Sequence, residues 1–470
     1  MTLPVSFASL GFERGRSRGY YFDGVLLLLM MVALSVEGET LFVFGGMQFT
    51  LAHAVIGLLG AYIFFRCIRA GQGLKLPSAP INVLLVTFAA ITLIDTPRYG
   101  FGALLLKYVF QYLVILVMIN FYRLLGVGRS RQLIVTGACV VLVLILINAA
   151  VHYRAFAYYY ANPWDGHPNY VTLFSGGVNL EATWPALFGA FFENNRQGRA
   201  YLGCVFLFSV LVASRAGLLL SVGAAAYVLF FKGRRIGKHV WQALGALVGI
   251  AVLVVALGVA LHVPMFERMT SIGDDSGSWG RLSIWANSVT VFRSAPIFGV
   301  GAGHAMDWVR AVSAHPFPED NVHMYPLQIL VDFGLVGFAV FAVIVVRFVI
   351  KNARARFRSP FAAFVLLYLM ISFIQFRGGE LLLGFVLAGV CAFGTMGEVT
   401  GDEDAAGAFD TADDTGDVSD DGSEEDAGHL PRNRAHHVPQ HMATGHQHRK
   451  AHAHEGKPRH LCVDTEEGDR

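Results

Sequence analysis

Apolar runs long enough to cross a bilayer recur at close intervals along this chain, and they constrain its fold more than any other feature. A helix crossing about 30 Å of hydrocarbon needs roughly 20 mostly apolar residues. Twelve segments meet or approach that length: about 21–43, 50–68, 80–96, 101–122, 132–152, 172–192, 200–214, 216–231, 240–262, 324–350, 359–376 and 380–397. Backbone amides have no water to bond to in lipid, so such runs form helices. The 200–214 and 216–231 runs are short and join at Ser214-Arg215-Ala216-Gly217. The chain is 54% hydrophobic and 15% charged, against about a quarter charged in soluble domains. A single soluble core is excluded. The expectation is an all-α polytopic membrane protein of about twelve helices.

Arg14, Arg16 and Arg18 precede the first run, and Glu37 and Glu39 follow it in place of a small-residue cleavage site. It therefore reads as a first span rather than a cleaved signal. Cys67, Cys139, Cys204 and Cys391 fall in apolar runs and Cys462 near the end, with no CxxC pair, so the first four read as small hydrophobes.

Positive charge falls on alternate loops. Arg14/Arg16/Arg18, Arg66/Arg69/Lys75, Arg123/Arg129/Arg131, Arg196/Arg199, Lys232/Arg234/Arg235/Lys238 and Arg347/Lys351/Arg354/Arg356/Arg358 all fall on one side of a twelve-span chain. The positive-inside bias makes that side cytoplasmic and puts both termini there. The opposite face carries two extended loops. One, about 153–171, contains Tyr158-Tyr159-Tyr160 and Trp164; the other, about 264–323, holds candidate helices near 281–293 and 303–313. Loops of the second length are uncommon unless functional. Residues 1–398 hold 29 Lys/Arg against 17 Asp/Glu, whereas 399–470 hold 7 against 17 and nine of the 17 histidines. The expected organisation is a cytoplasmic segment 1–19, a transmembrane body 20–398, and a disordered cytoplasmic acidic and His-rich tail 399–470.

Several polar residues stand where apolar ones are the rule. Arg215 lies between two apolar helices at the outer end of both. It reads either as an arginine snorkelling to headgroups or as a forked anion ligand beside a helix N-terminus. Arg281, in Trp279-Gly280-Arg281-Leu282-Ser283-Ile284-Trp285, is ordinary taken alone, as are His304 and His315. His323 ends the long outer loop, where a neutral imidazole suits a general base. Gln328 and Asp332 share one helical face below it. Asp332 is about 12 Å into its span, a functional candidate or a polar pair stitching helices together. Glu181 is similarly deep, and Lys107 lies near the outer end of its span. Gly299-Val300-Gly301-Ala302-Gly303-His304 lacks the strand a dinucleotide fingerprint needs and reads as a flexible turn. The set His315, Glu319, Asp320 and His323 matches no metal-ligand spacing, and no metal is expected.

In order, Ser214-Arg215-Ala216-Gly217, Arg281-Leu-Ser-Ile-Trp285, Pro296-Ile-Phe-Gly-Val-Gly-Ala-Gly303, His323-Met-Tyr-Pro-Leu-Gln328 and Asp332-Phe-Gly-Leu-Val-Gly337 resemble the O-antigen ligase and polymerase superfamily. The resemblance covers roughly 200–345. Met324 stands where members often have Asn, and Asp332 where they often have Glu. The resemblance implies an integral-membrane, inverting glycosyltransferase of the GT-C type in the bacterial inner membrane. It would act on the periplasmic face without metal or cofactor, moving an O-antigen glycan from undecaprenyl diphosphate to lipid A–core. Arg215 and Arg281 then match the donor diphosphate ligands and His323 the base, with Gln328, Asp332, Glu181 and Lys107 in possible support. A polymerase extending repeat units on the same carrier is the near alternative, since no residue identifies the acceptor. A polytopic transporter is the alternative class, opposed by the lack of an inverted repeat. Nucleic acid is not an expected partner.

Overall fold

A computed structural model describes residues 18–394 apart from 37–39, 45–46, 70, 72, 163–169, 175–176, 315–320, 356 and 377; of 232–275 it describes 245, 249, 252–253, 255–263 and 266. Most of the expected 240–262 span, the 399–470 tail, and His315, Glu319 and Asp320 lie outside the described residues.

The described chain is mostly helical. It runs α1 (Arg18–Ser35), β1 (Thr40–Phe44), β2 (Met47–Thr50), α2 (Leu51–Arg69), α3 (Ala79–Tyr99), α4 (Ala103–Leu125), α5 (Val127–Val151), α6 (Tyr153–Ala161) and α7 (Val178–Phe188). A 3-10 turn (Gly189–Phe191) follows, then α8 (Arg196–Leu211), α9 (Arg215–Phe231), α10 (Ser276–Ser294), α11 (Ala305–Val312), α12 (Tyr325–Arg354), α13 (Pro360–Ile371) and α14 (Leu381–Phe393). Among the described residues, α2, α3, α4, α5 and α12 are long and apolar enough to cross a membrane; α9, α13, α14 and Tyr21–Ser35 of α1 are apolar but shorter. Their outward faces keep apolar residues such as Phe65, Val86, Leu93 and Ile147 exposed, as lipid-facing surfaces require and soluble surfaces avoid.

Two segments depart from the expected spans. The first span was expected to reach 43, but α1 stops at Ser35, and Thr40–Phe44 pairs antiparallel with Met47–Thr50. The Glu37-Gly38-Glu39 sequence interrupts the apolar run, and the β-branched and aromatic residues beyond it favour a strand. In the 172–192 run the helix begins only at Val178, leaving Tyr170–Phe174 as non-helical chain over its first turn.

Specific polar contacts hold each end of the bundle. At one end, Arg66 Nη1 donates to both Asp23 carboxylate oxygens at 3.0 and 2.8 Å, and Tyr62 donates to Oδ1 at 2.6 Å. Arg131 meets the Phe191 carbonyl and the Glu193 carboxylate. Asn120 exchanges hydrogen bonds with the backbone of Lys75, and Tyr227 donates to the Phe357 carbonyl. Arg66, Lys75 and Arg131, from the basic clusters on which the charge reading rests, thus gather at this end.

At the other end lie the α3–α4 turn, the N-termini of α7, α9, α12 and α14, and the outer loop. The α3–α4 turn packs backbone to backbone, with Gly102 against Ala302. Helices α10 and α11 and the chain around them enclose a small core of their own: Ile284, Val291, Val300, Ala305, Met306, Val309, Val322 and Val331. The described part of this loop is a folded cap.

This cap is keyed into α12. The helix breaks at Gly334 (φ 62, ψ −166), which leaves the Val331 and Asp332 carbonyls and the Leu335 and Val336 amides without their intrahelical bonds. All four are bonded by the loop: Val300 N to Val331 O (3.0 Å), Gly301 N to Asp332 O (3.1 Å), Leu335 N to Pro296 O (2.8 Å) and Val336 N to Ile297 O (3.2 Å). A broken helix persists in a membrane protein only when its freed groups are taken up this way. A Cβ on Gly334 would strike the Ile297 carbonyl, and one on Gly299 the Asp332 backbone. The Gly299–Gly303 stretch, expected as a flexible turn, is therefore an ordered insert, with Val300 and Ala302 buried.

Candidate functional site

The loop that ends in His323 is gripped from both sides. Trp285 Nε1 of α10 donates to the Val322 carbonyl at 2.9 Å, and the Val322 amide donates to Gln328 Oε1 at 3.1 Å. Beyond the histidine, Tyr325 N donates to the Ser372 carbonyl at 2.8 Å. His323 is half-buried between these anchors with φ 56, and its amide donates to Asn321 Oδ1 at 2.9 Å. Positive φ at a non-glycine residue is sparsely populated and persists where the surroundings over-determine it. The backbone at His323 is therefore fixed by four anchors rather than left as a loose loop end.

Arg281 belongs to the same assembly. It lies one turn before Trp285 on α10, on the same face. Its Nη1 donates to the Ile374 carbonyl at 3.3 Å. The turn 372–374 thus receives Arg281 from α10 and the first amide of α12, two residues past His323. Arg281 and Tyr325, 44 residues apart in sequence, are brought to one turn after α13.

Arg215 opens α9. Ser214 caps that helix, its Oγ accepting from Gly217 N at 3.1 Å, and Ala213 turns the chain with φ 50. Gly217 lies hard against Ala182 of α7 and Ser209 of α8, so the three helices pack closely where Arg215 emerges. Helix α7 in turn packs Trp184 against Phe376, with ring centroids 4.9 Å apart and the planes tilted by 45°, two residues beyond Ile374. A half-buried guanidinium at a helix N-terminus adds its charge to the amide dipoles there. Arg215 therefore shares this end with Arg281 and His323, linked to them through α7 and the 372–376 turn.

The buried carboxylates do other work. Asp332 is fully buried; Oδ1 accepts from the Ala305 amide at 3.0 Å and Oδ2 from Gln328 Nε2 at 2.6 Å. It caps α11 and, through Gln328, holds Val322. Both residues support the histidine's backbone and stitch the cap to α12. Glu181, also fully buried, accepts from the Tyr170 hydroxyl and the Leu173 amide, each at 2.6 Å. Burial, and then this hydrogen bond, push the Tyr170 hydroxyl well above its usual pKa, so it remains a donor. Glu181 ties the 170–174 chain over the first turn of α7. Lys107 is half-buried one turn into α4, its Cβ packed beside Gly379.

One residue that the sequence reading passed over is Glu380, at the N-terminus of α14. Its Oε2 accepts from Tyr368 at 2.6 Å, its Oε1 from Gly378 N at 3.1 Å, and its carbonyl from Gln111 Nε2 at 2.9 Å. Gly378 packs directly on the Tyr325 ring. Arg377-Gly-Gly-Glu380 is a charged pair in a very short outer turn between apolar runs, the same signal that picks out Arg215. Arg377 lies outside the described residues. Among the described residues no three His, Cys, Asp or Glu side chains gather in a metal-holding group.

Residues 200–342 match the family model described as O-antigen ligase. The matched stretch holds Arg215, Arg281, His323, Gln328 and Asp332 and leaves out Glu181, Lys107 and Glu380. No curated protein matches the chain. The match supports a function of the O-antigen ligase or polymerase type in general, and the apolar helices suit a multi-pass membrane protein.

Proposed function

We infer that the O-antigen ligase-type domain at 200–342 transfers a lipid-linked glycan from undecaprenyl diphosphate to lipid A–core, with inversion at the anomeric carbon. The observation that carries this reading is the meeting of Arg281 and the His323 segment at the 372–374 turn. An acceptor hydroxyl attacks the anomeric carbon as its bond to the diphosphate oxygen breaks. His323 takes the hydroxyl proton, and Arg215 and Arg281 receive the charge that develops on the leaving diphosphate. The donor is already activated, so the step needs neither metal nor cofactor. One attack with no protein nucleophile inverts the centre. The mixture of forked cation and helix dipole suits a diphosphate. Gln328 and Asp332 act by positioning the base, and the tail has no step in the reaction.

In this reading the protein sits in the bacterial inner membrane as a GT-C type enzyme of about twelve spans. Both termini are cytoplasmic, and the Arg281/His323 end faces the periplasm. A reporter fused within 296–303 is expected to read out periplasmic; a cytoplasmic signal there would overturn the sidedness and the substrate with it. The lipopolysaccharide gel pattern of a deletion strain tests the reaction. A ligase leaves bare lipid A–core while lipid-linked polymer accumulates. Core carrying one repeat unit would identify a polymerase on the same carrier, and an unchanged pattern would remove both.

A further inference from the structure

Nine consecutive residues of the outer loop, Ala295-Pro-Ile-Phe-Gly-Val-Gly-Ala-Gly303, carry no polar side chain. A loop in water draws on Asn, Asp, Ser and charged residues at its turns. Pro296, Ile297 and Phe298, at the tip of this stretch, are exposed, Ile297 by 58%. The backbone bonds to α12 fix how far the tip descends. The Pro296 and Ile297 carbonyls accept from Leu335 and Val336, the eleventh and twelfth residues of that helix. Val336 lies eleven residues before Arg347, the first basic residue toward the other end, or about 16 Å at 1.5 Å per residue. That is about half of a 30 Å hydrocarbon core. Helix α3 gives the same height. Phe333, beside the break, stacks on Phe88 with ring centroids 4.0 Å apart, and Phe88 stands nine residues after Ala79 and eleven before Tyr99, the ends of α3.

The tip also marks where α12 changes its surroundings. Before the break Gln328, Ile329, Val331 and Asp332 are buried, Val331 in the core of the cap. After it Val336, Ala339, Val343, Val346 and Ile350 are exposed, at spacings of three and four that make one stripe down the helix. The tip therefore sits at the head of an apolar stripe that faces lipid. Non-helical chain survives at such depth when its backbone groups are bonded within the protein, as those of Pro296, Ile297, Gly299, Val300 and Gly301 are. Arg293, in the last turn of α10, is exposed and is the nearest charge in sequence. Its long stem lets the guanidinium reach headgroup phosphates. We propose that 296–298 is a re-entrant tip immersed in the acyl chains of the leaflet on the cap's side, so that the cap is anchored in lipid as well as on α12. The chain enters and leaves by one face, and this placement does not depend on the reaction that the protein performs.

Full-length protein in bilayers of phospholipid brominated in the acyl chains tests this. Ile297→Trp and Phe298→Trp each add a fluorophore at an exposed position of the tip. Asp307→Trp, at a side chain 67% exposed on α11, adds one that should meet water. The fluorescence that the first two add over wild type is expected to be lost to the brominated chains and spared by iodide; for the third the reverse is expected. Iodide quenching at the tip as strong as at 307 would overturn the proposal by placing the tip in water. Quenching by neither agent would overturn it too, by placing the tip under another part of the chain or a second copy. A second measurement uses wild-type protein and no substitution. A phospholipid carrying a diazirine in its acyl chain should leave photo-adducts on the peptide holding 296–298 as well as on 339–346. Adducts on 339–346 alone would put the tip outside the hydrocarbon.

Discussion

Replacing His323 by glutamine is expected to lower the transfer rate by about 10² to 10⁴, the range lost with a general base, while donor binding stays near wild type. Glutamine keeps the size and hydrogen bonding of imidazole but takes no proton at neutral pH. The backbone matters here as well, because residue 323 sits at φ 56. His323→Asn is the control for that conformation, since asparagine tolerates positive φ better than most residues. Both variants should be folded and inactive. The wild-type rate should rise with pH as the imidazole loses its proton, because the base works only when neutral. The glutamine variant should lose that limb. A purified glutamine variant that transfers glycan at the wild-type rate would take His323 out of the mechanism and make Glu319 and Asp320 the next bases to test.

Arg281→Ala and Arg215→Ala are each expected to lower the rate by about 10² to 10³, the scale of removing one group that stabilises charge in the transition state. Arg281→Lys should recover only part of it, because an ammonium is a point charge without the fork. Arg281 also donates to the Ile374 carbonyl, so a structural loss of about 1 kcal/mol accompanies its removal. Thermal melting of the purified variants separates the two effects: a clamp residue loses rate far beyond its loss of stability. If both alanine variants keep full activity, the diphosphate is held elsewhere. If their activity falls only as far as their folded fraction, the arginines are structural.

Much of the framework was legible before any coordinates. Apolar runs lie on the chain as local features, and α2, α3, α4, α5 and α12 appear where the runs predict them. Arg215 stood out because a charge at the joint of two apolar helices is conspicuous without a neighbour, and it opens α9. Pairing was not legible. Asp332 and Glu181 were singled out as buried carboxylates, yet their partners, the Ala305 amide and the Tyr170 hydroxyl, carry no mark in sequence. Glu380 stood in an unremarked turn until Tyr368 and Gly378 closed on it.

The sequence by itself determined that the chain forms apolar helices with basic residues on alternate turns, because hydropathy and charge act on each segment where it stands. It determined the residue types available at the outer end for the same reason. Only the tertiary structure decided that the 296–301 segment replaces the bonds broken at Gly334, that Arg281 and the His323 segment share one turn, and that Asp95 and His304 pack around Gly301. Each of these joins residues far apart in the chain. Closing such contacts depends on where the intervening helices pack, and no local propensity encodes that.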